Sequence, residues 1–115
     1  MIQRLQPGAR MSQAVIHGDT IYLAGQVADD TTTGVAGQTR QVLAAIDRLL
    51  ADAGSDKTKI LTATVYLADI ATFAEMNSAW DAWVSGEHPP ARATVQARLA
   101  ASVYLVEIQV IAAKG

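Results

Sequence analysis

The hydrophobic period of this chain changes four times along its length, and each change demands a different kind of element. Met11 to His17 and Thr20 to Val27 are β-rich runs separated by Gly18-Asp19, a pairing that predicts a hairpin whose turn needs positive φ. After a Thr- and Asp-rich loop, Asp29 to Gly34, the period lengthens: Val42, Ile46, Leu49 and Ala53 recur at three- and four-residue steps, Leu43 and Leu50 widen the stripe, and Gly54 stands where a C-terminal cap belongs. This predicts an amphipathic helix over Gln38 to Ala53, packed on a sheet. Ile60 to Leu67 returns to alternation. Asp69 then caps a second helix with Phe73, Met76, Trp80, Trp83 and Val84 on one side, ended by Ser85-Gly86 and the Pro89-Pro90 pair. Alternation resumes from Ala91 to Leu99 and, after Ala100-Ala101, from Val103 to Ala112. The order is β-β-α-β-α-β-β, an α+β chain of one domain over residues 1-115.

The strand from Ala91 carries the most distinctive side chain. Ala91, Ala93, Val95, Ala97 and Leu99 share one face, read as core, and Arg92, Thr94, Gln96 and Arg98 share the other. If the last two strands pair antiparallel about Ala100-Ala101, matched apolar faces set Arg92 opposite Gln109 and Thr94 opposite Glu107. This predicts a cluster of Arg92, Thr94, Glu107 and Gln109 on the sheet face away from the helices, beside Val103, Leu105 and Ile111. A half-apolar open face of that kind predicts self-association. The planar guanidinium fork matches a carboxylate bidentately, so a small carboxylate-bearing metabolite is the expected guest.

Composition excludes several alternatives. A chain of 115 residues, half of them hydrophobic, buries a real core. Its net charge of -2 and scattered Lys and Arg offer no track for a nucleic acid. Without cysteine there is no disulfide, thiolate nucleophile or thiolate metal site. The N-terminus has no apolar signal region, and no segment approaches the roughly 20 apolar residues that span a bilayer, so a soluble, cytoplasmic protein without membrane partners is expected. His17 and His88 lack any paired-ligand spacing for a metal, and no serine stands in a nucleophile elbow. Gly25-Gln26 is too short for a phosphate loop and predicts close backbone approach at a pocket floor. Trp80 and Trp83, at helical spacing, read as core. Asn77, between Phe73 and Trp80 on the apolar stripe, reads as a satisfied amide or a pocket contact.

Ser12-Gln13-Ala14-Val15, Gly25-Gln26-Val27, Phe73 to Asn77, Pro90-Ala91-Arg92 and Val106-Glu107-Ile108 with Ile111-Ala112 together resemble the RidA/YjgF family, also called the L-PSP endoribonuclease family. The resemblance implies a chorismate-mutase-like fold with two helices on one face of a mixed sheet. It implies a homotrimer with ligand sites in clefts between subunits. The implied activity is hydrolysis of reactive imino and enamino acids to 2-oxo acids and ammonia, with no cofactor and no metal. Arg92 is then the residue that holds the substrate carboxylate. Gly25, Ala24, Thr94, Met11 and Asn77 line the pocket, and Gln109 with Glu107 positions the water. This chain departs from the family pattern at Met11, where a tyrosine is usual, at Ala24 for serine, and at Thr94 for cysteine. The acidic residue credited with handling water falls at Gln109, an amide that orients water but accepts no proton. A non-catalytic module binding small 2-oxo acids is therefore the alternative to the deaminase. A ribonuclease, suggested by the older family name, is opposed by the acidic charge and the absence of a histidine pair.

Overall fold

A computed structural model describes all 115 residues, Met1–Gly115. The elements are β1 (Ile2–Pro7), β2 (Ser12–His17), β3 (Thr20–Leu23), α1 (Val35–Asp52), β4 (Ile60–Leu67), α2 (Phe73–Trp83), β5 (Ala91–Gln96) and β6 (Val106–Ala113), with short 3₁₀ turns before β4 and α2. The strands form one six-stranded sheet in the order β1-β2-β3-β6-β4-β5. Only β4 and β5 run parallel; every other pair is antiparallel. The fold is α+β, with a mixed sheet and both helices on one face.

The β2–β3 hairpin turns at Gly18-Asp19 with φ of 60° at Gly18, a conformation that a side chain would strain. α1 begins earlier than its apolar stripe suggests, at Val35, and ends as expected: Ser55 N–H bonds Leu50 O at 2.8 Å and Gly54 N–H bonds Ala51 O at 3.1 Å, the two closures of a Schellman motif. Its buried stripe, including Val42, Leu43, Ile46 and Leu50, meets Ala14, Ile16, Ile21, Leu23 and the inward residues of β4 and β6. Each such side chain, withdrawn from water, contributes about 1.5–3 kcal/mol. Gln38 is fully buried in this layer because its amide is matched: Nε2 donates to Val103 O and Oε1 accepts from Leu105 N–H, both at 2.9 Å.

Four expectations are corrected. First, an additional strand, β1, lies outside β2; with only Ile2 and Leu5 apolar in IQRLQP, its pattern is too sparse to read as one. Second, β5 and β6 do not form a hairpin. β4 lies between them, paired parallel to β5 and antiparallel to β6. The segment β4–α2–β5 is a strand–helix–strand crossover, which brings the second strand back parallel to the first. Third, β5 stops at Gln96 and β6 starts at Val106, so Val103 and Leu105 lie in the connection, and Leu105 packs against the core rather than on the open face. Fourth, the faces of β5 are exchanged. Arg92 pairs with Ala63 and Thr94 with Val65, both on the helix-covered face, while Ala91, Ala93 and Val95 face the open side, Val95 42% exposed.

Candidate functional site

Two groups of polar residues stand on opposite faces of the sheet. The first is built around Arg92, on the edge strand β5 beneath α2. Its Nη1 donates to Asn77 Oδ1 at 2.8 Å, and its guanidinium carbon lies 5.0 Å from the Trp80 ring centre and 5.6 Å from that of Phe73. Phe73, Asn77 and Trp80 are four and three residues apart on α2, so one helix face presents an aromatic ring, an amide and a second ring to the same cation. Such cation–π contacts contribute about 0.5–2 kcal/mol each. No carboxylate lies within ion-pair distance of Arg92; the molecule's one ion pair is Lys59–Asp56 at 3.9 Å. The half-buried guanidinium is thus oriented by neutral groups and keeps its capacity for an anion. Thr94, one pleat along the same face, has a buried Oγ1 without a hydrogen-bond partner.

The second group is on the open face. Glu107 pairs across β6–β4 with Tyr66, and its carboxylate lies over the Cα of Gly25: a Cβ built there would stand 2.1 Å from Oε2. Any Cβ here would displace the Glu107 side chain, so the close backbone approach expected at Gly25-Gln26 is present. Ala24 precedes it, its N–H bonded to Gln13 O at 2.9 Å. Gln109 shares the face two residues along β6, exposed, with Nε2 donating to Leu23 O at 3.3 Å.

The predicted cluster of four is therefore divided. Glu107 and Gln109 do share a face, but Arg92 and Thr94 are on the other, and the pairings Arg92–Gln109 and Thr94–Glu107 do not exist. Met11 belongs to neither group. It is 51% exposed at the β1–β2 connection, its carbonyl accepting from Gly8 N–H at 2.7 Å. Trp80 is buried as expected, yet it and Phe73 also bracket Arg92, a role invisible in an apolar stripe read without its partner strand. A cleft of about 740 Å³, lined by Gln96, Arg98 and Tyr104 among others, contains neither Arg92 nor Glu107. Outside these groups, Asp30 and Asp56 have carboxyls held below their usual range, each by the hydroxyl and then the backbone N–H of the threonine two residues on.

Three comparisons bear on this geometry. Residues 1–114 match the family model described as Endoribonuclease L-PSP. A "RutC family protein" of Haemophilus influenzae is 50% identical over 112 residues, covering 96% of this chain and 97% of its own, and the "RutC family protein YoaB" of Escherichia coli K12 is 47% identical over 97% of both. The crystal structure of a YjgF-family protein from Neisseria meningitidis superposes with a TM-score of 0.98 at 45% identity, covering 100% of this chain and 96% of that one. No helix is long and apolar enough to cross a membrane.

Proposed function

The chain belongs to the Endoribonuclease L-PSP family, the RidA/YjgF proteins, and on that footing we propose that it hydrolyses 2-imino and 2-enamino acids to 2-oxo acids and ammonia. The observation that carries this reading is the Arg92 guanidinium, fixed by Asn77 and two aromatic faces and facing no carboxylate of its own chain. It offers a preoriented fork to the carboxylate that every such substrate bears.

Hydrolysis also needs a group that handles water. The carboxylate of Glu107, seated over Gly25, takes this role in our reading, and Gln109 flanks it. The substrate reacts as its iminium ion, which a 2-enamino acid reaches by taking a proton at its β-carbon; water oxygen adds to the iminium carbon, the C=N electron pair moves to nitrogen, and a water proton passes to Glu107. The resulting carbinolamine then collapses: Glu107 passes its proton to nitrogen, the C–N bond breaks to release ammonia, and the hydroxyl proton returns to the Glu107 carboxylate as C=O forms. The imine carbon is already electrophilic, so positioning with modest acid–base help is sufficient chemistry. No cofactor enters these steps.

Arg92 and Glu107 are on opposite faces of one sheet, so a site using both takes one from each of two copies. The edge strand β5 of one subunit would meet the open face of the next, three times around a homotrimer. The apolar side chains on that face, among them Tyr22 at 44% and Val95 at 42% exposure, support an interface there. The test is ammonia release from 2-iminopropionate or 2-iminobutyrate generated in situ, abolished in Arg92→Ala. Wild-type release no faster than buffer would refute the reading.

A further inference from the structure

Gln13 and Gln26 are polar residues that the chemistry above leaves unused. Gln26 is fastened on three sides. Its backbone exchanges two hydrogen bonds with Ile108, N–H to Ile108 O at 2.9 Å and Ile108 N–H to Gln26 O at 3.2 Å, which holds this segment beside Glu107. Its side-chain Nε2 donates to Gln13 Oε1 and to the Ala24 carbonyl, 3.0 Å each. Gln13 in turn accepts at its own carbonyl from Ala24 N–H at 2.9 Å.

The Ala24 carbonyl and the Gly25 N–H belong to one planar peptide group and point in opposite directions. Anchoring the carbonyl therefore aims the N–H. That N–H has no partner among the molecule's hydrogen bonds, and its residue lies directly beneath the Glu107 carboxylate. An unspent donor next to an acceptor is what a reacting molecule with both polarities would meet.

We propose that Gln26, braced by Gln13, is a positioning residue that aims the Gly25 N–H at an oxygen of the molecule held beside Glu107. The proposal rests on the imine-hydrolysis reading for its kinetic consequences and on pyruvate binding for a test independent of them. A misaimed donor costs catalysis without unfolding the protein, on the order of 10- to 100-fold.

The experiment uses the assembled full-length protein and the variants Gln26→Met, Gln13→Met and Gln26→Glu. Methionine keeps the length and loses the donor, so Gln26→Met lowers kcat/KM roughly 10- to 100-fold, mostly in kcat, with Tm unchanged, and Gln13→Met less. In Gln26→Glu the introduced carboxylate cannot donate until it is protonated, so activity relative to wild type at the same pH rises through roughly pH 5 to 4. In parallel, titration with pyruvate, a 2-oxo acid product, shifts the Gly25 amide resonance in wild type and not in Gln26→Met. Wild-type kinetics in Gln26→Met, a loss that tracks Tm with no acid recovery in Gln26→Glu, or a Gly25 amide that pyruvate leaves unmoved would each overturn the proposal. Absent deamination by wild type, with the Gly25 shift intact and Gln26-dependent, would refute the hydrolase reading and leave the positioning role standing.

Discussion

Arg92 pairs with Ala63 and Glu107 with Tyr66, three residues apart on the same strand, β4, so the guanidinium and the carboxylate leave the sheet from opposite faces. A strand alternates its side chains with a period of two, and no rotamer carries either group through the sheet. Within one chain the cation and the acid are therefore kept apart, each in its own prepared surroundings. α2 fixes Arg92 with an amide and two rings, while Gly25 and the Gln26 anchors shape the ground under Glu107.

Arg92→Lys keeps the charge and loses the planar fork. One charge-assisted hydrogen bond fewer is about 1.5–3 kcal/mol, so KM for an imino acid rises roughly 10- to 100-fold while kcat changes less. Steady-state kinetics in the coupled ammonia assay reads the split; an unchanged KM would remove Arg92 from carboxylate binding.

Glu107→Gln is expected to lower kcat by roughly 10²–10⁴ with KM little altered, as loss of a proton acceptor does. Gln109→Ala, two residues along the same strand, leaves kcat near wild type. The reverse ranking would return the water-handling role to Gln109, where the family pattern first put it.

Much of the fold was legible from period alone: the hairpin at Gly18, the bodies of both helices and the strand Ile60–Leu67 stand where periodicity places them, although Asp69 caps the 3₁₀ turn Ile70–Thr72 and the second helix itself starts at Phe73 without a side-chain cap. Strand adjacency was not. Two alternating runs that follow each other in sequence suggest a hairpin, but the connection from Ala97 to Leu105 is far longer than a tight turn, and the helix between Leu67 and Ala91 is the sign of a parallel crossover. Nor does period two say which face of an edge strand is inward. Small alanines at 91 and 93 and a cation at 92 suggested that the alanines were core, whereas the rings of Phe73 and Trp80 make the helix side hospitable to an arginine. The residues of the two polar groups were mostly named from sequence as candidates, and their division between faces came only with the pairing.

Gln38→Leu removes a buried amide that satisfies two backbone groups, Val103 O and Leu105 N–H. Leaving both unpaired costs about 2–5 kcal/mol. Urea unfolding of the variant reads this directly, and a midpoint equal to wild type would show that water or a shifted loop replaces the amide.

Asp56 caps the 3₁₀ turn before β4 through the Thr58 hydroxyl and N–H, which hold its carboxyl below the unfolded value of 3.8. Its folded pKa is depressed, so the stabilisation is fully present above that unfolded value and is lost as pH falls through the folded one. Asp56→Ala is therefore less stable than wild type at neutral pH, and the two urea midpoints converge as pH is lowered below about 3.8. A gap that persists into acid would mean the side chain acts through something other than its charge.

The division of Arg92 and Glu107 between subunits is tested most directly by complementation. Arg92→Ala and Glu107→Gln, each inactive alone, are unfolded together and reassembled at equal amounts. Random assembly in a cyclic trimer gives about one interface in four with an intact arginine facing an intact acid, so the mixture regains about a quarter of wild-type imine deamination. A mixture as inactive as its two parents, although shown to contain mixed trimers, would contradict a site shared between copies.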